Sequence, residues 1–256
     1  MDPDHAANHG TPWSFAVRSI RPLVRYVDEA QAVIDVWFEL GESPSGDSVD
    51  RPPPSRIDVE IELTAADGYV LRRHARATLH DRSGVVRFEM LRPARWWPLG
   101  MGEQCLYDMT VMLSVGDELV ELWQTTLGLT SVRMPRPGLD EPRQLLINGQ
   151  VRSIQTIVPV APLDESGVLP VGDQSLLVIH DHFAPDVLLE AADRAGVLVV
   201  QAIPRGDGLA LPQIDRLVPH PSLAGWLVED ASPQAPSLIS RLRQLDPTRP
   251  VLDRLL

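Results

Sequence analysis

The chain has 256 residues, 44% of them hydrophobic and 23% charged, which suits one large or two modest globular domains and excludes a disordered chain. A formal net charge of −12 disfavours nucleic acid and anionic membranes as partners, because both require local excesses of Lys and Arg. The single cysteine, Cys105, excludes an intrachain disulfide, and no unbroken apolar run has the length of a membrane span.

The opening run Met1-Asp2-Pro3-Asp4-His5 is polar and lacks the apolar core of a signal peptide, so a cytoplasmic protein with a disordered tail over 1–13 is expected. From Phe15 to Met134 the pattern is β, and residues 14–134 are predicted to form an immunoglobulin-like β-sandwich. Ala32 to Leu40 is rich in branched and aromatic residues. Ile57, Val59, Ile61 and Leu63 alternate with Asp58, Glu60 and Glu62, which sets a dry face against a wet one. Asp67-Gly68 turns the chain back into Tyr69-Val70-Leu71. Further strands are expected over Val85 to Leu91, Leu106 to Leu113 and Leu119 to Leu127. The cluster Arg51-Pro52-Pro53-Pro54 reads as a stiff loop between strands.

Residues 135–142, Pro-Arg-Pro-Gly-Leu-Asp-Glu-Pro, form a linker by composition, and beyond it the period changes. Leu145-Leu146-Ile147 runs into Asn148-Gly149, a hairpin turn, and then Val151 to Val158. Leu176 to Ile179 is wholly apolar, as expected of a strand covered on both faces. A helix over Ala184 to Ala195 follows, with Pro185 and Asp186 in its first turn, an apolar stripe of Val187, Leu188, Ala191 and Ala192, and Gly196 as its cap. Val197 to Val200 is the next strand, and strand, helix, strand in about thirty residues is a βαβ unit with parallel pairing. The scheme repeats with Leu223 to Val228, a helix from about Pro233 to Leu245 and a strand near Val251. Residues 143–256 therefore predict an α/β domain.

One stretch stands apart: Arg95-Trp96-Trp97-Pro98-Leu99-Gly100-Met101-Gly102-Glu103-Gln104-Cys105-Leu106-Tyr107. It resembles the segment entering a late strand of the immunoglobulin-like domain in glycoside hydrolase family 2, the β-mannosidase, β-galactosidase and β-glucuronidase group. Other motifs follow in the family's order. Leu127-Gly128-Leu129 resembles the end of the sandwich, with Thr130 where an arginine is usual, and Leu146-Ile147-Asn148-Gly149-Gln150-Val151 the hairpin leading into the barrel. His182-Phe183 is similar to the His-Tyr-Pro loop, His220-Pro221-Ser222-Leu223-Ala224-Gly225-Trp226 to the fourth barrel strand, and Asp246 to Val251 to the approach to the fifth. The resemblance implies an immunoglobulin-like sandwich followed by a partial, degenerate (β/α)8 barrel.

It also implies a reaction: retaining glycoside hydrolysis by two carboxyl groups about 5 Å apart. The acid/base would belong to an Asn-Glu pair after the strand-four tryptophan. Here that stretch reads Trp226-Leu227-Val228-Glu229-Asp230-Ala231, which places Asp230 on the asparagine and Ala231 on the glutamate. The family's strand-two arginine corresponds to Ile179, the nucleophile's strand lies beyond the matched segment, and Ala161 to Gln174 reads as a loop where a helix is usual. A noncatalytic binding or scaffold module is therefore expected, with a homo-oligomer or a protein partner covering the open barrel edge and carbohydrate as a ligand class. The competing expectation is a residual glycosidase using Glu229 or Asp230, which fall at the C-terminal end of a parallel strand, where barrel enzymes place catalytic groups. His182, Trp226, Trp96 and Trp97 are the candidate substrate-binding residues. Packing at the junction of the two halves competes with sugar stacking for Trp96 and Trp97.

No cofactor and no metal are expected. His180-Asp181-His182 sets two imidazoles on one side only if the strand continues through it, and Asp193 and Asp207 become ligands only if the fold brings them near. Ser222 and Ser175 lack the glycine elbow of a hydrolase nucleophile, and Cys105 lacks the surroundings of a reactive thiol.

Overall fold

The computed structural model describes residues 15–42, 54–135, 144–160, 175–204, 210–229 and 235–254. The expected tail, nearly all of the linker, the proline cluster up to Pro53 and the segment Ala161 to Gln174 lie outside the described residues, as do Asp207, Asp230 and Ala231. No helix among the described residues is long and apolar enough to cross a membrane.

Seven antiparallel strands form two sheets. β1 (Phe15–Val27), β2 (Gln31–Glu42) and β5 (Ser83–Leu91) make one, in the order β1-β2-β5. β3 (Arg56–Ala65), β4 (Val70–Thr78), β6 (Tyr107–Val115) and β7 (Glu118–Leu127) make the other, in the order β4-β3-β6-β7. Alternation decides which side of each strand is dry. Ile57, Val59, Ile61 and Leu63 point inward and meet Ile34, Val36 and Phe38 of the facing sheet in one buried cluster. Each such side chain contributes about 1.5–3 kcal/mol when taken fully out of water. On the wet face the cross-strand register puts Glu62 opposite Arg72 and Asp58 opposite Arg76, and both pairs close as exposed ion pairs.

β8 (Val132–Arg133) lies in the stretch assigned from sequence to the sandwich, yet it pairs with β9 (Gln144–Ile147). β9 in turn makes the Asn148-Gly149 hairpin with β10 (Gln150–Ser153). The run expected as one strand over Val151 to Val158 divides here, because after Ser153 the chain leaves this small sheet and enters a second one as β11 (Thr156–Val160).

That second sheet has five parallel strands in chain order: β11, β12 (Ser175–Ile179), β13 (Leu198–Ala202), β14 (Leu223–Leu227) and β15 (Val251–Leu252). Helices α1 (Asp186–Ala195), α2 (Leu211–Leu217) and α3 (Ala235–Leu245) lie between successive strands from β12 onward. Every residue of β12, β13 and β14 is buried, which is why these strands read as apolar runs without alternation. Leu177, Ile179, Val199 and Trp226 pack with Leu188, Leu189, Ile214 and Leu242 of the helices. Leu176, Val178, Leu198 and Val200 pack on the other side with Trp96, Trp97, Leu145 and Ile147.

Gly196 ends α1 in the left-handed region at φ 70° and passes its N–H to Ala192. The stripe of α1 differs from expectation: Leu188, Leu189, Ala192 and Asp193 are buried, whereas Val187 is exposed. The buried face thus includes Asp193, whose carboxylate has buried partners. Helix α2 was not expected from sequence. It is only 7 residues long, with a proline in its first turn.

Candidate functional site

The C-terminal ends of the parallel strands form a rim. β12 stops at Ile179, and the next residues turn instead of extending, with Asp181 at a positive φ of 59°. His180 and His182 consequently do not form the same-side pair that a continued strand would give. His180 donates from Nδ1 to the Glu229 carboxylate at 2.9 Å. His182 donates from Nδ1 to the His180 carbonyl at 2.7 Å. Among the described residues no three His, Cys, Asp or Glu side chains gather as a metal site would require.

Glu229 lies two residues past the end of β14, and its side chain is 41% exposed. That is an open position on the rim. Gln201, fully buried in the otherwise apolar β13, holds the histidine loop from beneath. Its Nε2 donates to the His182 carbonyl at 2.8 Å and its Oε1 accepts from the Ala184 N–H at 2.9 Å. Its signal in the sequence is a single amide inside the run Val197 to Ala202.

The tryptophans sit below this rim, inside the protein. Trp226 is 0% exposed, with its indole N–H on the Asp246 carboxylate at 2.8 Å. Trp96 is also 0% exposed, and its indole N–H reaches the Asp193 carbonyl at 2.8 Å. Trp97 is buried as well, with the Arg95 guanidinium over its ring. None of the three offers a free ring face for a sugar. The packing role weighed for Trp96 and Trp97 is the one the geometry carries.

Asp193 is the centre of a second polar cluster. Its carboxylate accepts from His220 Nδ1 at 2.6 Å and from the Ser222 N–H at 3.0 Å, all buried. It therefore holds the turn ahead of β14 and is not placed with His180 and His182. Asn148 plays a matching part at the hairpin: its Nδ2 donates to the Trp96 carbonyl at 2.9 Å and its Oδ1 accepts from the Ser131 N–H at 2.8 Å. Gly128 permits a close approach of the two halves, since a Cβ there would stand 2.3 Å from the Pro221 ring. On the opposite flank Arg21 of β1 donates from Nε to Asp215 of α2 at 2.6 Å and from Nη1 to the Leu245 carbonyl at 2.7 Å.

A cleft of about 870 Å³ opens between β1, β6 and β7 on one side and α1 and α2 on the other. Its wall includes Glu121, Trp123, Glu190, Arg194, Asp215 and His220. Burial pushes the Glu121 carboxyl above its ordinary range. Burial also raises the Cys105 thiol, with the Glu103 carboxylate adding to the effect, so the thiolate is suppressed.

No family model matches the chain. The β-mannosidases B of Aspergillus flavus and Aspergillus oryzae are each 24% identical over 115 residues, covering 40% of this chain and 13% of theirs. The fold is that of part of several solved structures. For the exo-chitosanase CsxA of Amycolatopsis orientalis the TM-score is 0.65 at 18% identity, over 93% of this chain and 31% of that one. For the β-D-mannosidase of Dictyoglomus thermophilum it is 0.67 at 19% identity, over 94% and 35%. For a glycosyl hydrolase family 2 member of Bacteroides cellulosilyticus it is 0.66 at 16% identity, over 94% and 35%. The chain thus spans about an eighth of the curated relatives and about a third of the solved structures. Over part of its length the chain is thus similar in sequence to β-mannosidases, and in fold it is similar to part of glycoside hydrolase family 2 structures.

Proposed function

We propose that this chain is a noncatalytic member of that group, a binding or scaffold module built on an immunoglobulin-like sandwich and a partial (β/α)8 barrel. The carrying observation is the pair Glu229–His180. Where a retaining glycosidase sets two carboxyl groups about 5 Å apart, the described residues at the end of β14 set the exposed Glu229 carboxylate against an imidazole at 2.9 Å. The sequence adds that Ala231 stands where the resemblance puts the acid/base glutamate. A cytoplasmic setting belongs to the same proposal, supported by the lone cysteine.

The partner in this reading is a second copy of the chain or another protein. Among the described residues β15 pairs only with β14, and an open strand edge is a template for pairing with another chain. Light scattering that finds only monomer at high concentration removes the self-association half of the proposal.

Residual hydrolysis is the second reading. It is favoured by the place of Glu229 at the C-terminal end of a parallel strand and by the two β-mannosidase relatives. Release of nitrophenol from aryl β-glycosides separates the two. Turnover by the wild-type chain that disappears in Glu229→Gln or Asp230→Asn establishes the second reading, and its absence across several aryl sugars supports the first.

A further inference from the structure

We infer that the cleft between β1 and β8 of one half and the segment following α3 of the other is a binding site for a small ligand bearing a phosphate or sulfate group. The cleft has a volume of about 530 Å³, enough for a monosaccharide with one such ester. Arg25, Arg133, Arg243 and Arg249 line it together with the hydroxyl-bearing Ser131 and Thr248. Among the described residues in its wall there is no Asp or Glu. In a chain of net charge −12 such a wall runs against the overall balance.

Two of the four guanidinium groups have a carboxylate partner, and two have none among the described residues. Arg249 is committed to the fold: it donates to the carbonyls of Leu223, Val218 and His220 and pairs with buried Asp246. Arg25 stands 3.6 Å from Asp35, but that carboxylate is already engaged by Arg87 through two bonds of 2.6 and 2.9 Å. One carboxylate therefore serves two guanidinium groups. Arg133 and Arg243 are exposed, and neither makes an ion pair with any described carboxylate. They approach from different elements, β8 and α3, so the fold converges cations that the sequence keeps far apart. Guanidinium groups suit tetrahedral oxyanions because their planar forks donate two parallel bonds. This site is separate from the rim and does not rest on the reading of Glu229.

The test is isothermal titration at low ionic strength with glucose 6-phosphate, glucose 6-sulfate and uncharged glucose. Saturable one-to-one binding of at least one ester, with glucose silent, is expected. Which ester binds identifies the group. The Arg133→Ser/Arg243→Ser variant is expected to weaken binding at least tenfold, while Arg72→Ser/Arg76→Ser on β4 leaves it unchanged. If the first variant fails to fold, Arg243→Ser alone, at an exposed helix position, is read by the same criterion. Absence of saturable binding to the wild-type chain overturns the inference, and so does equal loss in both variants.

Discussion

The indole N–H of Trp96 donates a 2.8 Å hydrogen bond to the backbone carbonyl of Asp193, joining the end of the sandwich to helix α1. The bond is buried, and the two residues are 97 positions apart in sequence. It accounts for a tryptophan at this place better than a sugar platform does, because the side chain is fully buried in one cluster with Leu176, Val178 and Val200. Trp96→Phe keeps most of the apolar area and removes the donor. The expected cost is about 1–3 kcal/mol, that of a buried carbonyl left without its partner, read as a lower urea midpoint with an unchanged slope. A variant of wild-type stability contradicts this.

Asp193 carries more of the junction through its carboxylate. Asp193→Ala orphans the His220 Nδ1–H and the Ser222 N–H together. A loss of about 1–3 kcal/mol for each is expected in the same denaturation experiment. A double-mutant cycle with His220→Ala should show strong coupling between positions 193 and 220, and additive effects would remove the link.

Close packing at the seam makes Gly128 intolerant of a side chain. A Cβ there meets the Pro221 Cγ at 2.3 Å, and since both atoms belong to stiff groups the two halves must separate. Gly128→Ala is expected to cost about 1–3 kcal/mol by overpacking. Faster proteolysis of the variant into its two halves, with the sandwich itself intact, is the accompanying signature.

A pH dependence follows from Glu121. Its folded carboxyl titrates above the ordinary range because burial disfavours the charged form. The folded state therefore binds the proton more tightly than the unfolded chain. Stability is intact below the ordinary carboxylate range and falls as pH rises through it to the raised folded value. Glu121→Gln should match wild type in acid and exceed it at neutral pH, a difference visible in thermal melts across that window. A constant offset at every pH would show that ionisation is not the cause.

The sequence makes the sandwich legible because a half-buried strand writes its dry face as alternation, as Ile57 to Leu63 do. The buried parallel strands were legible for the opposite reason, their lack of alternation. Helix α2 escaped because seven residues are too few for a 3.6-residue period to declare itself. β8 was put with the sandwich because proximity in sequence says nothing of a partner beyond the linker. At the site, Glu229 and His180 were both marked, but their pairing across 49 positions depends on the turn after Ile179 that a positive φ at Asp181 produces. From sequence Asp193 is only a conditional oxygen ligand, because a buried carboxylate on a helix carries no local sign of its partners. His220 and Ser222 reach it only once β14 is docked.

The proposal of a noncatalytic chain stands or falls on turnover. Wild-type protein and Glu229→Gln, incubated at equal high concentration with aryl β-mannoside, should both release nitrophenol no faster than buffer. Release that grows with wild-type concentration and vanishes in the variant would contradict the account and make Glu229 a catalytic residue.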